Sequence, residues 1–251
     1  MKRTGLSTRF FHAFAACMLL LMAAGCGEGD SQRTVASQAT ADSLLQIDRA
    51  RETLKNIQTI LNNDSANYEA WRQKGNLLAF LRDTAGAIRA LETSFQSYPQ
   101  AANGLALANL YAETKNEKAV ALCNSLLATD SLQQLADANY IKGNYYSRTG
   151  NTQGAVQQYD SCILRDWKFT DAYIDKGILL FKQEKLPEAL ETFRLAATVS
   201  NTYPDAYFWI GRCREEQGDE QEAIENYRNA VALDPSFNEA RKRIDRLEKK
   251  D

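Results

Sequence analysis

The sequence predicts an all-α fold: an α-solenoid of helix–turn–helix units with capping helices at both ends. Three observations predict it. Gly75, Gly143, Gly177 and Gly211 are separated by 68, 34 and 34 residues, and Ala87, Ala155, Ala189 and Ala223 repeat those intervals twelve residues further on. Self-similarity at a fixed period of this length marks a chain built by repeating one supersecondary unit. Within each half unit, apolar residues recur at three- and four-residue intervals, the spacing of an amphipathic helix. The prolines Pro99, Pro187, Pro204 and Pro235 fall at unit borders or in the first turn of a helix, where a missing N–H costs nothing.

Taken in order, the chain opens on Lys2, Arg3 and Arg9, then runs apolar from Phe10 to Ala24 apart from His12. A charged start, a short apolar run and small residues before a cleavage point describe a secretory signal over 1–25. Such a run is too short to span a bilayer comfortably. The stretch 26–42, rich in Ser, Gln, Ala and Gly, reads as a flexible tether. Leu44, Ile47, Leu54, Ile57, Ile60 and Leu61 then make 43–67 an N-terminal half repeat. Repeats follow at 68–101, 102–135, 136–169, 170–203 and 204–237. A charged helix over 238–251, with Ala240, Ile244 and Leu247 on one side next to Phe237, supplies the terminal cap that a repeat array needs.

Inside the units, Gly75 and Ala87 lie where two antiparallel helices cross, and larger side chains there would force the backbones apart. Breakers separate the halves: Arg82-Asp83-Thr84, Thr149-Gly150-Asn151, Lys185-Leu186-Pro187 and Gln217-Gly218-Asp219. The second unit departs from the pattern. A strict period puts Asn109 and Ala121 at the Gly and Ala positions. A slipped register with Ala108, Tyr111, Ala119, Cys123 and Asp130 fits better; it needs a shorter inter-helix turn and a longer connector at 130–137.

The units read Trp71-x2-Lys74-Gly75-x2-Leu78 with Ala87-x3-Leu91, Asn139-x2-Lys142-Gly143-x2-Tyr146 with Ala155-x3-Tyr159, Tyr173-x2-Lys176-Gly177-x2-Leu180 with Ala189-x3-Phe193, and Tyr207-x2-Ile210-Gly211-x2-Arg214 with Ala223-x3-Tyr227. This pattern resembles the tetratricopeptide repeat, with Lys74, Lys142 and Lys176 replacing the usual Leu. The resemblance implies a right-handed α-solenoid in which the first helix of each unit lines a concave peptide-binding groove. Likewise, Leu21-Met22-Ala23-Ala24-Gly25-Cys26 resembles the bacterial lipobox, which implies lipidation at Cys26 and a cell-envelope address. Gly27 after that Cys favours the outer membrane facing the periplasm, with display at the surface as the alternative. Lipoproteins of this kind, as a class, assist outer-membrane protein insertion, pilus assembly or regulation of cell-wall hydrolases.

Charge and composition exclude several function classes. Removal of 1–25 takes away three of the 30 basic residues and no acid, leaving 27 against 32, a net −5. With no basic stripe, nucleic acid is not an expected partner. The only His, His12, leaves with the signal, which removes Ser-His-Asp and Cys-His catalysis and His-ligated metal from consideration. Cys123, Cys162 and Cys213 fall on helices with no metal spacing and read as core, with one disulfide as the alternative in an oxidising compartment. Asp171 with Asp175 is a one-turn carboxylate pair that helix-capping explains better than acid–base chemistry. No catalytic, cofactor or metal residue is therefore expected.

The groove carries the functional expectation. The residue after each small crossing residue faces it: Asn76, Asn109, Asn144, Ile178 and Arg212. Asparagine in three successive units makes a ladder of donors and acceptors suited to an extended peptide backbone. One turn earlier stand Arg72, Tyr140, Ile174 and Phe208, and one turn later Phe80 and Phe181. Arg72 and Asn76 match the start of the carboxylate clamp of some tetratricopeptide domains, but Asp137 and Ile141 stand where that clamp has cations. The expected function is a non-enzymatic, lipid-anchored scaffold for envelope proteins or peptides. A self-assembling component, or an accessory of an envelope enzyme, is the alternative.

Overall fold

A computed structural model describes the backbone of residues 29–129 and 134–249 and the side chains of 43–128 and 136–249. The signal segment, Cys26 and most of the 130–137 connector lie outside them. Among the described residues there are twelve helices and no strand. They are α1 (Gly29–Asn63), α2 (Tyr68–Phe80), α3 (Thr84–Ser97), α4 (Ala101–Glu113), α5 (Lys118–Thr129), α6 (Gln134–Arg148), α7 (Thr152–Arg165), α8 (Thr170–Lys182), α9 (Leu186–Val199), α10 (Pro204–Glu216), α11 (Glu220–Leu233) and α12 (Asn238–Glu248). The chain divides into two compact units, 1–51 and 52–251. The described part of the first is helical throughout. The tether expected over 26–42 is thus helix from Gly29 onward, because Ala, Gln, Arg and Ser sustain a helix and no Pro or Gly interrupts Asp30–Asn63.

The second unit is an all-α solenoid: α2/α3, α4/α5, α6/α7, α8/α9 and α10/α11 pack as antiparallel pairs, and each pair packs on the next. One hydrogen-bond device turns the chain in all five. Arg82, Lys115, Gly150, Glu184 and Gly218 all have positive φ (67°, 57°, 85°, 62° and 79°). The N–H of the following residue donates to the carbonyl five residues back, as in Asp83 to Leu78 and Asn116 to Tyr111, which satisfies the orphan carbonyls of the ending helix. In four of the five turns that same following residue, Asp83, Asn151, Lys185 or Asp219, is the N-cap of the next helix, and in the other Asn116 stands two residues before α5 and accepts from the Lys118 N–H. Asp83, Asn151 and Asp219 accept from the backbone N–H of Gly86, Gly154 and Glu222.

Each pair closes around one large side chain. A Cβ on Gly143, Gly177 or Gly211 would stand 2.5, 2.5 and 2.7 Å from ring carbons of Tyr159, Phe193 and Tyr227, sixteen residues on. Even a methyl is excluded there. The second repeat, α4/α5, solves the same problem with a small and a medium residue. Ala108 and Cys123 are fully buried in one cluster with Ala119, whereas Ala121 is exposed, so the chain follows the shorter spacing through this unit.

Polar contacts set the spacing between units. Trp71 Nε1 donates to the Ser65 carbonyl (2.9 Å), and the Tyr173 and Tyr207 hydroxyls donate to the carbonyls of Trp167 (3.1 Å) and Asn201 (3.2 Å). Two of the three lysines that replace Leu reach back sixteen residues to the preceding helix: Lys74 to Gln58 (2.8 Å) and Lys176 to Asp160 (2.6 Å). At the C-terminal end Ala240 and Leu247 of α12 are buried against Phe208, Tyr227 and Ala230, and the charged residues of α12 pair outward, Arg228 with Glu248 among them.

Candidate functional site

The first helices α2, α4, α6, α8 and α10 carry the expected groove residues at equivalent positions, and the structure divides them into three groups. Tyr140, Ile174 and Phe208 are closed in: they are 8%, 7% and 4% exposed and belong to three different core clusters. Their place is a correction to the open groove wall, and the reason is packing between neighbouring first helices. The Tyr140 hydroxyl donates to Asp175 of α8 (2.6 Å), and Phe208 lies against Phe237 with ring centroids 4.9 Å apart. Burial and the carboxylates of Asp175 and Asp171 hold the Tyr140 phenol far above its ordinary range.

The asparagines are half-exposed and partly occupied. Asn109 donates its amide to Glu113 (3.0 Å), and Asn144 accepts from the Tyr159 hydroxyl (2.8 Å). The carbonyl of Asn109 and the amino group of Asn144 remain for a ligand. Glu113 is pushed above the ordinary carboxylate range by burial, against the opposing pull of Arg148, the Asn109 bond and Arg82. At the other end of the row, Arg72 is bidentate to Glu69 (2.9 and 2.5 Å), which lowers the Glu69 carboxyl chiefly through that hydrogen bond. Arg72 is thereby held by its own helix, and Phe80 stands half-buried at the end of it.

Phe181 and Arg212 come together directly. The Arg212 guanidinium lies 5.2 Å from the Phe181 ring and 5.5 Å from that of Trp209, and its side chain is 17% exposed. Phe181 and Trp209 meet edge to face at 5.5 Å, and Ile178 packs on the same cluster. The guanidinium also lies 3.7 Å from the Glu216 carboxylate one turn on, so the rings orient a cation that is already half of an ion pair along its own helix. Trp209 is a residue the sequence reading missed; its place three residues before Arg212 on one helix was the available signal.

Two shallow clefts lie elsewhere. One, about 410 Å³, is lined by Glu92, Phe95, Leu107, Tyr111, Lys118 and Leu122 between α3, α4 and α5. The other, about 540 Å³, runs between α7, α8 and α9 past Val156, Leu180, Pro187 and Leu195. Neither includes a groove residue. Asp171 and Asp175 do not form an acid–base pair: Asp171 accepts from the Tyr203 hydroxyl and Asp175 from Tyr140. Cys123, Cys162 and Cys213 are free and buried in three separate clusters, and burial pushes the thiols of Cys123 and Cys213 up to about 12. Among the described residues no group of three His, Cys, Asp or Glu side chains is placed to hold a metal, and no helix is long and apolar enough to cross a membrane.

Comparison with known proteins places this architecture. Residues 174–236 match the family model described as tetratricopeptide repeat. The chain is 22% identical over 223 residues to a DnaJ homolog subfamily C member 7 homolog of Dictyostelium discoideum, spanning 84% of this chain but 37% of that protein. Among solved structures it is similar to PilW, a type IV pilus biogenesis factor (TM-score 0.66, 17% identity, 81% of this chain and 94% of that one). It is also similar to yeast Tom70 (TM-score 0.64, 18% identity, 79% of this chain and 42% of that one). At these identities the likeness is one of fold.

Proposed function

We propose that this protein is a non-enzymatic scaffold, lipid-anchored at Cys26 in a bacterial cell envelope, that holds protein partners along the faces of its first helices. The observation that carries the reading is the row of unspent hydrogen-bonding groups at one repeat position. Asn76, the Asn109 carbonyl and the Asn144 amino group stand half-exposed in successive units, followed by Ile178 and the stacked Arg212. Amides at a regular spacing suit an extended peptide, whose backbone offers donors and acceptors in alternation. The apolar and cationic end at Phe181 and Arg212 gives such a peptide a direction. The leader ending in Ala23-Ala24-Gly25, directly before Cys26, supports the anchor.

Two experiments test the two halves. Fatty-acid labelling of the full chain should be lost in Cys26→Ser, and labelling that persists in the variant contradicts the anchor. Partner retention should be lost in Asn76→Asp with Asn144→Asp, which removes the amide donors but keeps an acceptor for the Tyr159 hydroxyl. Unchanged retention, with unchanged helicity, overturns the amide row as a binding element.

A further inference from the structure

The largest exposed apolar side chains outside the first unit sit together at the connector between α7 and α8. Leu164 is 88% and Trp167 61% exposed. The repeat itself shows that nothing in the fold asks for them. The residues equivalent to Leu164 in the first, fourth and fifth repeats are Gln96, Thr198 and Ala232, all exposed and none a large apolar residue. Those equivalent to Trp167 are Pro99, Asn201 and Pro235, also exposed. Both positions therefore point to solvent in these four repeats, and of the four only the third fills both with bulky apolar groups.

The turn that carries them is firmly held. Asp166 accepts from the Lys168 N–H (3.0 Å), the Phe169 N–H donates to the Asp166 carbonyl (3.0 Å), and the Tyr173 hydroxyl ties down the Trp167 carbonyl (3.1 Å). The exposed pair is thus presented by a fixed backbone. Cations flank it: Arg165 is exposed, and Lys168 Nζ stands 5.2 Å from the Trp167 ring.

We infer that Leu164 and Trp167 form a bilayer-contact tip that dips into the interface of the membrane to which Cys26 anchors the chain; the inference rests on that anchor. Two side chains on a protruding turn are far less than the roughly 800 Å² per partner of a stable protein interface. A bilayer needs no complementary shape. Trp favours the headgroup level, Leu the acyl boundary, and Arg165 and Lys168 match anionic headgroups. Insertion this small is weak for a free protein, but an anchor turns it into an intramolecular event at high effective concentration. Contact through this tip fixes which edge of the solenoid faces the lipid, and so which way the first helices face.

The test uses the acylated full chain in vesicles of phosphatidylethanolamine and phosphatidylglycerol, with acylation checked by mass. An environment-sensitive fluorophore is placed at Leu164→Cys, the three native thiols being buried. Brominated lipids should quench this probe, leave the same probe at Glu184→Cys on the opposite edge unquenched, and lose effect when Trp167→Ser is added. No quenching at position 164 on a chain shown to be acylated overturns the tip and leaves the anchor standing. If the mass shows no acyl chain, the anchor reading fails separately. The unacylated protein is then titrated with the same vesicles, and Leu164→Gln with Trp167→Ser must weaken its partition at least about tenfold, the factor one buried apolar side chain commands. A smaller change overturns the tip. Brightening that grows with protein concentration without vesicles assigns the pair to a second copy and also overturns it.

Discussion

Replacing Gly177 with Ala sets helix propensity against packing, and the structure says which wins. Ala is favoured over Gly within a helix by about 1 kcal/mol, so propensity alone makes Gly177→Ala stabilising. The added Cβ would meet three ring carbons of Phe193, at 2.5, 2.7 and 2.9 Å. Phe193 is fully buried and stacked on Trp209 at 5.6 Å with 13° between the rings, so the ring has nowhere to retreat. Overpacking of a well-filled core costs about 1–3 kcal/mol, and a ring fixed on both sides belongs at the upper end. The net expectation is a loss of about 1–2 kcal/mol once the propensity gain is subtracted. Urea unfolding followed by circular dichroism measures it, with an unchanged m-value as the check that only stability moved. Phe193→Cys copies the Ala108 and Cys123 pairing of the second unit. The double variant should be less destabilised than the sum of the singles by at least about 1 kcal/mol. Stabilisation by Gly177→Ala, or strict additivity in the cycle, refutes the reasoning.

Three further outcomes follow from the same geometry. Glu184→Gly should raise the urea midpoint, since a non-glycine residue at φ 62° carries about 1–2 kcal/mol of strain, only part of which the greater entropy of glycine offsets; a lowered midpoint would contradict this. Burial raises the Glu113 carboxyl in the folded chain. Its contribution to stability is therefore present below the ordinary carboxylate value and is lost as pH rises through the folded one. Glu113→Gln should gain on the wild type as pH climbs from about 4.3 towards neutrality, and a pH-independent difference would count against the assignment. Cys123, Cys162 and Cys213 should resist an aromatic disulfide reagent at pH 8 until urea unfolds the chain, because burial holds all three thiols protonated; rapid reaction of the native protein would show that the clusters open.

The architecture was legible because its main constraint is local. A helix pair that crosses this closely accepts only small residues at the crossing, so Gly75, Gly143, Gly177 and Gly211 print the period directly into the chain. The slipped unit was legible for the same reason, through Ala108, Ala119 and Cys123. The groove was harder to read. Whether Tyr140, Ile174 and Phe208 stand open or closed depends on how far one unit turns relative to the next, a quantity no single unit's pattern carries. The bond from Tyr140 to Asp175 crosses from one unit to the next and has no counterpart within either. Arg82, Lys115 and Glu184 at positive φ were hidden because their side chains advertise helix, and only the register of Gly150 and Gly218 gives their position away. The helix over Gly29–Asp42 was missed because Ser, Gln and Ala suit a linker and a helix alike.

Site-specific photo-crosslinking in cells tests the scaffold most directly. The crosslinker is placed in the full acylated chain at Asn76 and Ile178 on first helices, and at Glu191 and Ser125 on second helices. The first pair should capture one and the same envelope protein, and the second pair should not. Capture from Glu191 and Ser125, with none from Asn76 and Ile178, contradicts it.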